Sequence, residues 1–149
     1  ADNGAVRALI HTTRPDGTTK WDDYGTIASG SARWTAEDVR FADVGGDARA
    51  DYLIVEENGA VRSYINQGGD GRGGWGDVST IATGSASWNA TQVRFADVGG
   101  DARADYLVLA DNGALSGYLN VTDADGRTTW TDQGTIASGT GNPGYRVRI

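Results

Sequence analysis

Cysteine and methionine are both missing from this chain of 149 residues, proline occurs twice and histidine once. Without cysteine there is no disulfide framework, no zinc–thiolate centre and no thiol nucleophile. No serine or threonine has a recognisable base beside it, so nucleophilic catalysis has no constellation and the chain reads as a non-enzyme. No apolar run approaches the roughly 20 residues needed to span a bilayer. Positive charge is also in deficit. Thirteen Lys and Arg against twenty Asp and Glu leave a net charge of −7, which repels phosphate backbones and argues against a nucleic-acid partner. What the chain has instead is 23 glycines and 5 tryptophans, a composition suited to short strands joined by many tight turns.

The order of those residues is repetitive. Asp43-Val-Gly-Gly-Asp-Ala-Arg-Ala-Asp51 returns letter for letter as Asp97-Val-Gly-Gly-Asp-Ala-Arg-Ala-Asp105. Trp21, Trp75 and Trp130 lie 54 and 55 residues apart, and Asn3, Asn58 and Asn112 lie 55 and 54 apart. Three copies of one unit follow.

Each unit reads as four short strands. The first spans 39–44, and an acidic loop leads from it to a second over 52–55, whose continuous apolar character predicts burial on both faces. Asn58-Gly59, like Asn3-Gly4 and Asn112-Gly113, predicts a hairpin with a type I′ turn. The third strand covers 60–65. A polar connection carrying Asp-Gly (16–17, 70–71, 125–126) ends at Trp21, Trp75 or Trp130, which open a fourth strand and read as packing residues. No stretch has useful helical periodicity.

Four antiparallel strands repeated at this pitch describe β-propeller blades, because one small sheet buries its faces only against neighbouring sheets. The chain is thus a single all-β repeat domain, with an incomplete unit at 1–38, units at 39–92 and 93–146, and a new first strand starting at 147–149. Three blades make too tight a ring by the usual count of four to eight. The expectation is therefore a fragment of a longer propeller or a homo-oligomer that completes one.

The motif Val-Arg-Phe-Ala-Asp-x-x-Gly-Asp-x-Arg-Ala-Asp-Tyr-Leu, followed by Asn-Gly-x-Val/Leu and Tyr-Ile/Leu-Asn, resembles the FG-GAP/VCBS-type repeats over essentially the whole chain. Such repeats build integrin-α propellers, the seven-bladed fungal lectins of the Psathyrella velutina lectin type, and accessory domains of secreted hydrolases. The resemblance implies a propeller, calcium in the acidic loops, and glycan binding between blades. This sequence departs from the family loop, Asp-x-Asn/Asp/Thr-x-Asp-Gly-x-x-Asp. Its third position is Gly45 or Gly99, and Ala48 or Ala102 replaces the glycine at the sixth.

Two kinds of site are candidates. Calcium takes six to eight oxygens, and Asp43, Asp47 and Asp51, with Asp97, Asp101 and Asp105, fall at positions 1, 5 and 9 of the loop. The same carboxylates also suit a metal-free turn in which they accept backbone N–H bonds. For glycans, Trp34 and Trp88 lie in the inter-blade connections with Asn89 nearby, and Tyr145 stands at the third connection. An aromatic face beneath a pyranose, with polar groups on its hydroxyls, is a common sugar site. The alternative is that both tryptophans wedge neighbouring blades together. His11 reads as a surface hairpin residue. Asn89-Ala-Thr91 and Asn120-Val-Thr122 are glycosylation tripeptides and point toward an extracellular, secreted protein. The expectation is a multivalent carbohydrate-binding module, with a structural or protein-interaction module of a secreted enzyme as its rival.

Overall fold

A computed structural model describes residues 2–68, 74–76, 79–122 and 127–141. Among these residues ten strands form three antiparallel sheets. The first holds β1 (Val6–Thr13) and β2 (Thr19–Ala28). The second follows chain order as β3 (Val39–Ala42), β4 (Asp51–Val55), β5 (Val61–Tyr64) and β6 (Ser79–Ala82). The third repeats it as β7 (Val93–Ala96), β8 (Asp105–Leu109), β9 (Leu115–Thr122) and β10 (Thr128–Ala137). Among the described residues there is no α-helix, only 3-10 turns at Ala36–Asp38 and Ala90–Gln92 that lead into β3 and β7. This is an all-β protein built of propeller blades, two of them four-stranded.

The second strand of each complete blade is its spine. Every residue of β4 and of β8 is buried, as the apolar runs require, because each lies between two neighbours and under adjacent sheets. The core is not private to one blade. Val44, Leu53, Val55 and Val61 of the second sheet form one cluster with Val93, Ala104, Tyr106 and Val108 of the third. Burial of apolar surface therefore binds the repeats to one another.

Local details correct three expectations. The first strand stops at Ala42, because Asp43 to Ala50 is spent on the acidic loop. The Asn-Gly hairpins form, but with a wider turn than type I′: Gly59 N–H closes on the Glu56 carbonyl at 2.7 Å, and the positive φ falls on Gly59 and not on Asn58. The Asn58 side chain accepts the Ala60 N–H instead, an Asx turn that needs no left-handed Asn. Trp75 stands in an isolated bridge to Asn66, before β6 begins at Ser79. Trp21 and Trp130 do lie inside their strands. Asp70-Gly71, Asp125-Gly126 and the start of a new first strand at 147 lie outside the described residues.

Candidate functional site

The blade-to-blade joint starts from register. Phe41, Tyr52 and Tyr64 are direct partners across β3, β4 and β5, so one face carries a row of three rings. Phe95, Tyr106 and Tyr118 repeat the row. Rings within each row sit edge-on with centroids 5.5–5.8 Å apart, the geometry favoured by aromatic quadrupoles. Trp75 joins the first row against Tyr52 at 5.6 Å, and Trp130 joins the second against Tyr106 at 5.8 Å.

These faces meet the preceding blade through polar tips. The Tyr52 hydroxyl donates to the Gly4 carbonyl and the Tyr106 hydroxyl to Gly59, both at 2.9 Å. Trp75 Nε1–H donates to the Ile27 carbonyl at 2.7 Å, and Trp130 Nε1–H to Ile81. Burial, foremost, pushes both tyrosine hydroxyls above the ordinary phenol range. Asn120 adds a further tie between the second and third sheets. Its Nδ2 donates to the carbonyls of Val44 and Ala104.

The two joints differ in one ring. Trp88 fills the joint between the second and third sheets: its Nε1–H donates to the Tyr106 hydroxyl at 2.8 Å, and its ring lies 5.9 Å from Tyr118. Trp34 holds the corresponding position between the first and second sheets, where it walls a cleft instead of closing on the tyrosine row as Trp88 does. It lies under the guanidinium of Arg33, 4.6 Å from the ring centroid, with Arg62 at 5.9 Å. Arg62 is itself fixed by Glu56 at 2.6 Å. The third unit and its connection carry Ser87, Ser116 and Ala110 at the positions of Arg33, Arg62 and Glu56. The cation–π clamp is thus present at one joint and absent from the other. A cleft of about 310 Å³ remains where the clamp operates, walled by Trp34, Tyr52, Tyr64 and Trp75 with the polar Ser29 and Ser31 at its edge.

The acidic loops are built as backbone clamps. Asp51 is fully buried and accepts N–H bonds from Val44 (2.9 Å), Gly45 (3.1 Å) and Asn66 (2.8 Å). Asp105 does the same with Val98, Gly99 and Asn120. Asp43 accepts from Gly46, Asp47 and Ala48, and Asp97 from Gly100, Asp101 and Ala102. Asp47 and Asp101 turn back to the N–H of Arg49 and Arg103. Burial pushes the Asp51 carboxyl above the usual carboxylate range. Its three N–H donors pull it down, and the nearby Asp43 charge adds to the rise. Ala48 and Ala102 adopt the left-handed conformation, φ 64° and 68°, where the family loop has glycine; an alanine there carries about 1–2 kcal/mol of strain. As arranged, the oxygens of these carboxylates accept N–H bonds from their own loops and from the neighbouring strand. Among the described residues no group of three or more acidic or histidine side chains is gathered around a metal position.

The other candidate residues fall as follows. Asn89 caps the 3-10 turn by accepting from Thr91 N–H at 2.9 Å, and with Trp88 it borders an open depression of about 470 Å³ beside Glu56, Glu57 and Asn58. Tyr145 lies outside the described residues. His11 is exposed on β1, its ring 4.9 Å from that of Trp21. Asn120 is 2% exposed with its amide committed, so it is no glycosylation acceptor in the folded chain. Sequence reasoning missed Arg33, Arg62, Tyr52 and Tyr64. For the arginines a signal existed: they are places where one repeat departs from the other.

The molecule is therefore an all-β protein of propeller blades joined by aromatic faces. Residues 46–108 match the family model of the FG-GAP-like repeat, a stretch running from the first acidic loop through the second blade's joint to β8. No curated protein matches the chain.

Proposed function

We propose that this chain is a non-catalytic, extracellular carbohydrate-binding module of the lectin type, and that the cleft between its first and second sheets is the sugar site. The observation that carries this reading is the emptied joint. At the third sheet an indole ring fills the space and donates to a tyrosine hydroxyl. At the second, the same space lies open before Tyr52, Tyr64 and Trp75, with Trp34 clamped aside. A pyranose supplies what the indole supplies elsewhere: a flat apolar face for the rings and an O–H donor for the Tyr52 oxygen. About 310 Å³ lies at the small end of ligand clefts, which suits one or two sugar units. Among the described residues one cleft of this kind is present, so multivalency would come from assembled copies.

A glycan array probed with the intact chain tests the proposal. Binding to at least one glycan class is expected. Tyr64→Ala should weaken it on the order of tenfold or more, the scale of a lost stacking ring. The double variant Arg33→Ser/Arg62→Ser, which recreates the third sheet's surroundings, should release Trp34 into the cleft and abolish binding while the fold persists. An array blank for the wild-type chain, or unchanged binding by both variants, overturns the site.

A further inference from the structure

Four large apolar side chains stand exposed at places where their counterparts in the other repeats are half-buried or, for Val44, fully buried. Trp21, 66% exposed, holds the position of Trp75 and Trp130, which donate to the preceding blade. Leu9, 54% exposed, holds the position of Tyr64 and Tyr118 in the aromatic rows. Both belong to the first sheet, on the side where the other sheets receive a predecessor. At the opposite end, Val98 is 47% exposed, whereas Val44 in the same loop position is 2% exposed beneath the third sheet. Ile136, 42% exposed, holds the position of Ile27 and Ile81, whose carbonyls receive the tryptophan N–H groups.

The first sheet thus offers the donating half of a blade joint, and the third offers the accepting half. We infer that a second copy of this chain seats its first sheet against the third sheet of its neighbour, with Trp21 and Leu9 covering Val98 and Ile136. Two internal joints on the same chain already use this chemistry, and both halves of the third are present on one molecule. The contact joins unlike surfaces, head to tail. A pair of chains related by a two-fold axis satisfies both halves at once, so a closed dimer is the smallest complete assembly. Trp21 is the anchor: the N–H that its counterparts place on an isoleucine carbonyl would fall on that of the neighbour's Ile136, and its ring on the neighbour's apolar edge. The inference stands apart from sugar binding, because the cleft lies at a different joint.

Light scattering on the intact chain, coupled to size exclusion, tests this. The wild type is expected at twice the 15.6 kDa of one chain or more. Trp21→Asp and Ile136→Asp should each elute as monomers, their dissociation constants raised on the order of thirtyfold or more by loss of a central apolar anchor. Mixed in equal amounts, they should recover a one-to-one dimer, since each variant keeps the half that the other has lost. Circular dichroism establishes that the variants remain folded, and Leu9→Asp with Val98→Asp provides a second pair carrying the same expectation. A monomeric wild type, association that persists in the single variants, or a mixture that fails to pair overturns the inference.

Discussion

Replacing Asp51 with alanine is expected to lower the unfolding free energy by about 4 kcal/mol. The carboxylate is fully buried and holds three backbone N–H groups from two different segments: Val44 and Gly45 at the start of the acidic loop, and Asn66 just beyond β5. Alanine leaves all three donors without their acceptor, at roughly 1–3 kcal/mol for each group that water cannot reach. Against a total stability of roughly 5–15 kcal/mol for a domain, this is a large fraction. Asp51→Asn keeps one acceptor oxygen but turns an amide N–H toward a donor, so its cost should be about half as large. Equilibrium urea unfolding, followed by tryptophan fluorescence, measures both. An alanine variant within about 1 kcal/mol of wild type would show that the loop is held by something other than this clamp.

Gly84→Ala should destabilise the chain by about 3 kcal/mol or more, through backbone crowding and not through lost contacts. The glycine sits at φ 76°, where a Cβ is already strained. An added Cβ would stand 2.5 Å from the Asn58 carbonyl oxygen and 2.6 Å from the Ala60 nitrogen. Neither obstacle is a side chain that can swing away, because both belong to the hairpin turn joining β4 and β5. Relief requires moving that turn away from the connection, which breaks the Ser85 N–H bond to Asn58. An exposed control with the same dihedral strain is Gly100→Ala, where φ is 78° and no atom lies within 4 Å of the added Cβ. The control should cost only the strain, about 1–2 kcal/mol. Thermal melts that rank the two variants equally would contradict the crowding argument.

Much of this architecture was legible in the sequence, because repetition reports on packing directly. A tryptophan returning at a fixed interval, and an acidic loop returning unchanged, have to occupy equivalent places in successive sheets. The apolar runs at 52–55 and 106–109 announced the buried spines in the same way. The turn type was harder to read. Asn-Gly is compatible with two hairpin geometries, and here an Asx bond to Ala60 accompanies the one in which Gly59, not Asn58, takes the positive φ. The acidic loops were ambiguous for a related reason: a carboxylate at every fourth position suits a cation or a row of N–H groups equally well. The geometry turns Asp43, Asp51 and their copies toward N–H groups.

The candidate site was the least legible part. Trp34 and Trp88 look interchangeable in the sequence, and only their surroundings separate them. The difference lies in Arg33, Arg62 and Glu56, of which the latter two lie more than twenty residues away. The departures from a repeat, more than the repeat itself, marked where the two joints diverge.

The central claim is that no single sheet of this chain stands alone, because the buried residues of one blade complete the core of the next. The direct measurement is the folding of residues 39–92 as an isolated peptide, followed by circular dichroism and amide proton dispersion. Cut off from Val93, Ala104, Tyr106 and Val108, and from the carbonyls of Gly4 and Ile27, that unit is expected to be unfolded in water while the 149-residue chain unfolds cooperatively. A single unit with dispersed amide resonances and a cooperative melt of its own would contradict the account.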